Sequence, residues 1–207
     1  MSSLTGSSRL EASAWPFERA AGLCALAAAV AGIGYAVAFV VVGSTFGSAL
    51  FLLLGGLLAI PVLVAVYGRV RAAEPAVAAC ALLLGAAGAL GAVAHGGNDL
   101  ATALHPPATP SDLPSAVDPR GLATFGLTGL SLALVAWLIR RGGRLPRGLG
   151  ALGYLLAALL VALYLGRLVI LEARSPLIAV PALLTGFVVN PAWYLWLGRS
   201  LATGRAT

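Results

Sequence analysis

The chain has 207 residues, 60% of them apolar and only 10% charged, with a formal net charge of +6. A soluble domain carries roughly 45–50% apolar and about 25% charged residues, so this balance excludes a water-soluble globular fold. The positive charge does not point to nucleic acid, because the basic residues stand at the ends of apolar runs, where they orient helices in a bilayer.

Residues 1–19 are read as a cytoplasmic or interfacial segment, irregular over residues 1–10, with Trp15 and Phe17 beside charge at headgroup level. The first apolar run follows at about 20–42. Its "AGLC" resembles a lipoprotein cleavage site, but Leu23 occupies the position that requires a small residue, and the run continues to Val42, too long for a cleaved signal. Further runs cover about 47–67, 76–104, 121–139, 148–171 and 177–199. Each is near the roughly 20 residues that span a hydrocarbon core of about 30 Å. The expected fold is an all-α membrane protein, six transmembrane helices in a compact bundle over 20–200, with a cytoplasmic tail at 201–207. Cys24 and Cys80 fall inside spans near the cytoplasmic side and are expected to remain unbridged.

The basic residues set the orientation. All 13 are Arg, a usage that fits a GC-rich bacterial genome. With the N-terminus inside, Arg9, Arg19, Arg69, Arg71, Arg140, Arg141, Arg144, Arg147, Arg199 and Arg205 face the cytoplasm, whereas only Arg120 and Arg174 face out and Arg167 lies in a span. Cytoplasmic loops hold such an excess, so both termini are expected inside a bacterial cell membrane. The one long connection, Pro106 to Arg120, is external and proline-rich, and is expected to be an exposed connector or a cap on the bundle.

Span three is the most informative. Gly85, Gly88 and Gly91 or Ala92 recur at helical spacing, the pattern that lets two backbones approach in lipid. The same face continues to His95 and Asp99, which directs them into the bundle, with Asn98 alongside and Gly96 and Gly97 loosening the helix. His95 and Arg167 each lie about 28 Å from the cytoplasmic start of their spans. Tyr164 shares the face of Arg167. His95, Asn98, Asp99, Tyr164 and Arg167 are therefore expected to form a polar cluster at the outer mouth, with an Asp99–Arg167 ion pair at its centre. Such residues either mark a ligand, ion or catalytic site, or simply end their spans at the interface.

A bis-histidine haem needs imidazoles from facing helices, and only His95 lies in a span; His105 sits against two prolines. No cofactor and no metal site are expected. Span four places Thr124, Thr128 and Ser131 on one face, as expected for hydroxyls bonding between helices. In the last span Pro191 removes a backbone donor beside Asn190, and Pro61 stands at the matching place in span two, each followed by Gly-Arg at the same spacing. Helix breaks are expected at Pro61 and at Asn190 and Pro191. Spans two, four and six all end in an aromatic and then Arg, which either reflects a hairpin repeat or simply the aromatic belt and the positive-inside bias.

"RLPRGLGALGYLLAALLVALYLG" from Arg144, the proline-containing last span ending "AWYLWLGRSL" and the opening "RAAGLCALAAAVAGIGYA" from Arg19 resemble the bacterial membrane family catalogued as domain of unknown function 4386. The resemblance covers about residues 15–200 and implies the same six-span architecture; it implies no activity and no catalytic residues. Three functions stay open: an outer polar cluster that binds a lipid or small ligand, a membrane-embedded enzyme using His95 and Asp99, and a structural or regulatory subunit of a membrane complex. The expected partners are the lipid bilayer and either another membrane protein or a second copy of the chain, with no nucleic acid.

Overall fold

The computed structural model describes residues 5–106, 122–142, 144–170 and 175–203. Within them the chain forms six helices long and apolar enough to cross a membrane. Helix α1 covers Thr5–Ala36 and continues as a π-helical turn, Val37–Val42; α2 is Thr45–Val70 and α3 is Pro75–Leu104. Helix α4 begins as a π turn, Leu122–Leu127, and continues as Thr128–Gly142. Helix α5 is Arg147–Val169, and α6 runs from Pro176–Leu184 through a π turn at Thr185–Val189 into Asn190–Thr203. The first helix starts well before the apolar run, at Thr5, so part of the segment expected to be irregular is helical. Residues 107–121, which hold nearly all of the external connection, lie outside the described residues.

Local chemistry explains the boundaries. Gly43, at φ +68°, closes α1 in the left-handed region that favours glycine, and its N–H donates to the Ala38 carbonyl. Ser44 then caps α2, its hydroxyl accepting from the Gly47 N–H at 3.1 Å. Pro75 and Pro176 each stand in the first turn of a helix, where a missing N–H costs nothing.

Each helix packs against its neighbours in sequence, and α6 packs back against α1, closing a ring of six. Glycine makes the close crossings. A Cβ on Gly22 of α1 would lie 2.8 Å from the Gly198 carbonyl of α6, and one on Gly198 would lie 2.8 Å from the Gly22 carbonyl. Gly56 meets the backbone of α3 at Ala89, and Gly96 of α3 meets the backbone of α2 at Ala49 and Leu53. Large apolar side chains cover the outside of the ring: Leu83 is 70% exposed, Leu23 64% and Val30 64%. Such a surface is tolerated in lipid and not in water.

Residues 18–22, 69, 144 and 198 meet at one end of the ring, so both ends of the helical domain lie there. This terminal half is solidly packed around Leu138, Ile139, Leu149, Leu156, Leu197 and Leu201. A bidentate ion pair ties α1 to α2 within it: Arg69 Nε donates to Glu18 Oε1 at 2.9 Å, and Nη2 reaches Oε2 at 2.5 Å. The far half is different, because there the ring encloses a cavity.

Candidate functional site

The cavity has a volume of about 730 Å³ and is lined by residues of all six helices. Along α3 it reaches from Gly85 to Asp99, 14 residues or about 21 Å at the helical rise. Its inner end is apolar, at Val66, Val135 and Trp193, and its far end reaches the α1–α2 turn at Gly43 and Ser44. The space exists because the inward faces of α1, α2 and α3 carry many small residues, Gly32, Ala36, Gly55, Gly85, Gly88 and Ala89 among them, while bulky residues such as Leu23, Val30, Leu54 and Leu83 point out to lipid.

The glycine seam of α3 serves packing on one side and the site on the other. Gly85 faces Ser131 of α4, Gly88 faces Thr128, and Gly91 faces Ala123. Ser131 is almost fully buried and its hydroxyl donates to the Ala81 carbonyl at 2.7 Å, an interhelical bond that satisfies both groups away from water. One turn beyond Gly91, towards the far end, the same face presents His95. Its Nδ1 lies 3.5 Å from the Thr124 hydroxyl, and its Nε2 lies 3.3 Å from Asp99 Oδ2, one helical turn further on. Thr124, His95 and Asp99 all line the cavity.

Of the other residues singled out from the sequence, Tyr164 is half-buried on the cavity wall. Asn98 is exposed, off the wall, with its amide 3.4 Å from Asp99 Oδ1. The Arg167 side chain lies outside the described residues, and the expected Asp99–Arg167 ion pair with it. Pro61 lies within an α2 that runs as α-helix from end to end. The crossings of Gly56 and Gly96 clamp α2 to α3 on the far side of that proline and hold the helix through the missing donor.

At Pro191 the backbone behaves differently. The Asn190 N–H donates to the Thr185 carbonyl, five residues back, and the preceding turn is π-helical. The Asn190 side chain is turned across the ring, its amide nitrogen 2.7 Å from where a Cβ on Gly32 would stand. It makes no side-chain hydrogen bond among the described residues. Among the described residues the hydroxyl of Thr185, a residue only 8% exposed, is buried without a partner, as is the Trp193 indole nitrogen, which lies over Gly153.

The three π turns among the described residues all border the cavity, at Phe39 and Val40 in α1, Thr124 and Phe125 in α4, and Thr185 and Gly186 in α6. Single π turns inside α-helices recur at functional sites, because they re-aim side chains and leave backbone groups open. Tyr35 and Phe39 stack on the α1 wall, ring centroids 5.8 Å apart. Beyond the contact of Ala36 with Gly186, the end of α1 and the first segment of α6 no longer pack closely, and Phe39, Val40 and Val180 are at least half exposed there.

The sequence pattern pointed to His95, Asp99 and Tyr164. The opposite wall, Thr185 with Gly186 and Asn190, was signalled only by the proline at 191 and by the polar Asn190 inside an apolar run. Among the described residues no group of three or more His, Cys, Asp or Glu is placed to hold a metal ion. No family model matches this chain, and neither a curated protein nor a solved structure does.

Proposed function

We propose that this multi-pass membrane protein binds a lipid or a small amphiphilic ligand in the central cavity, with the His95–Asp99 pair at its polar end. The carrying observation is the cavity itself: about 730 Å³, within the roughly 300–1,000 Å³ typical of ligand pockets, with apolar walls and a few convergent polar groups. An ionisable pair within a membrane span is expensive, and its position on the cavity wall supports a role towards what enters. In the same reading the protein sits in a bacterial cytoplasmic membrane with both termini inside, as the arginine distribution supports.

Gly55 provides the test. It lines the cavity, and a Cβ there would meet nothing within 4 Å, so Gly55→Phe fills space without forcing the backbone. Lipids and small molecules that survive purification of the wild-type chain in mild detergent are identified by mass spectrometry. The expected result is one amphiphile class retained by wild type and reduced at least about tenfold in Gly55→Phe, an affinity loss of about 1.4 kcal/mol or more. Equal retention by both proteins would remove the cavity as its site.

One arrangement favours a second reading, a membrane-embedded enzyme using His95 and Asp99. The hydroxyl of Thr124, the imidazole of His95 and the carboxylate of Asp99 form a chain of the kind that activates a nucleophile. If the retained amphiphile is an ester, its slow hydrolysis by the wild type and not by His95→Ala supports this reading. Hydrolysis unchanged in a folded His95→Ala protein would end it.

A further inference from the structure

We propose that the kinked turn of α6 is a hydrogen-bonding subsite for the free hydroxyl of a neutral long-chain amphiphile, an alcohol or a partial glyceride. The inference rests on the cavity being a ligand site and names the group that it recognises.

In an α-helix the Gly186 carbonyl would accept from the N–H of residue 190, and in a π-helix from that of residue 191. Here the Asn190 N–H is committed to the Thr185 carbonyl, and residue 191 is proline, which has no N–H. Gly186 therefore has an acceptor without either of its usual donors, inside a membrane span. Irregular backbone at such depth is tolerated where it lines a cavity, and Gly186 does. The neighbouring Thr185 hydroxyl is closed off even from the cavity and takes no part in the subsite. One turn on, the Asn190 carboxamide offers both a donor and an acceptor.

These groups form one wall of the cavity, and together they ask for a partner that both donates and accepts. A hydroxyl does both, whereas an ether or a hydrocarbon does not donate. The height of this wall follows from contacts around the ring. Asn190 faces Gly32 of α1, Gly34 faces Phe51 of α2, Leu53 faces Gly96 of α3, and His95 adjoins Gly96. The subsite and His95 thus belong to one polar layer, with apolar space on the terminal side of it for a chain. The loose packing between the end of α1 and the start of α6 gives that chain a lateral way in from lipid.

The test uses the full chain in phosphatidylcholine nanodiscs and a hexadecanol analogue carrying a photoactivatable diazirine. Labelled residues are located by peptide mass spectrometry, and labelling is competed with hexadecanol, monopalmitoylglycerol and hexadecyl methyl ether. Labelling of the cavity walls is expected, with at least one of the two hydroxyl-bearing competitors about tenfold stronger than the methyl ether, as one or two lost hydrogen bonds imply. Whether the alcohol or the glyceride competes better tells which of the two is the preferred source of the hydroxyl. In Asn190→Leu, which removes the carboxamide at similar size, the advantage should fall below about twofold. Equal competition by ether and hydroxyl compounds in the wild type overturns the subsite while leaving the cavity as a ligand site. Absence of any label on the cavity walls overturns both. The wild-type competition decides the matter even if Asn190→Leu does not fold.

Discussion

Arg69 is 8% exposed although it ends a membrane span, and it is the residue whose role differs most from what its place in the chain implies. By count it is one of ten arginines that orient the helices. In space its guanidinium grips both oxygens of Glu18, and its carbonyl receives the Arg144 N–H at 3.4 Å. A charge this enclosed is tolerated only because it is paired and bonded. Arg69→Met should strand the Glu18 carboxylate and cost about 1–3 kcal/mol, less than a fully buried pair because Glu18 is 21% exposed. The double variant Glu18→Leu with Arg69→Met should regain at least half of that. Thermal unfolding in detergent at one protein concentration measures the coupling, and strictly additive single effects would show that the pair contributes nothing. The pairing was not legible in the sequence: the partners are 51 residues apart, and a charge at the end of an apolar run looks the same whether it faces water or a neighbouring helix.

At the level of elements, periodic patterns were readable and isolated ones were not. The small residues of α3 repeat at helical spacing, as do the hydroxyls of α4, so each announces a packed face; the structure sets Gly85 against Ser131 and Gly88 against Thr128. Nothing periodic announces the crossing of α1 and α6, which depends on two single glycines 176 positions apart (198 − 22). Neither Gly22 nor Gly198 can gain a side chain without forcing the backbones apart. Gly22→Leu and Gly198→Leu should each destabilise the protein by about 2–4 kcal/mol, the range of strong overpacking. Gly68 is the control within the same bundle, since a Cβ there meets nothing within 4 Å. Gly68→Ala should be neutral or stabilising by up to about 1 kcal/mol, because alanine costs less entropy in a helix. If all three substitutions shifted the unfolding midpoint alike, close approach at Gly22 and Gly198 would not be what closes the ring. The π turns were equally hidden. That of α6 has a proline beside it, whereas that of α1 arises in a run of ordinary apolar residues and that of α4 in the sequence LATFGL, with no proline within either.

For the whole molecule, number and order of helices follow from hydrophobic length, but a cavity is a property of six inward faces at once. Each face is unremarkable by itself: glycines and alanines on α1, α2 and α3 read as packing surface, and only their convergence without large partners leaves space. The ring has a solid half and a hollow half, and orientation decides which side of the membrane the hollow half serves. The Glu18–Arg69 pair and the Gly22–Gly198 crossing put both ends of the helical domain in the solid half. That same half carries Arg69, Arg71, Arg140, Arg141, Arg144, Arg147 and Arg199, an excess of the kind that cytoplasmic loops hold. The cavity should accordingly face the outer leaflet. A fluorescent protein fused after Thr207 should mature and glow in the bacterial cytoplasm, while alkaline phosphatase fused at the same place should stay inactive. Alkaline phosphatase inserted after Pro110, in the connection between α3 and α4, should be active. The reverse pattern would turn the protein over, and the cavity would then draw its ligand from the inner leaflet, with the six-helix ring and its contacts unchanged.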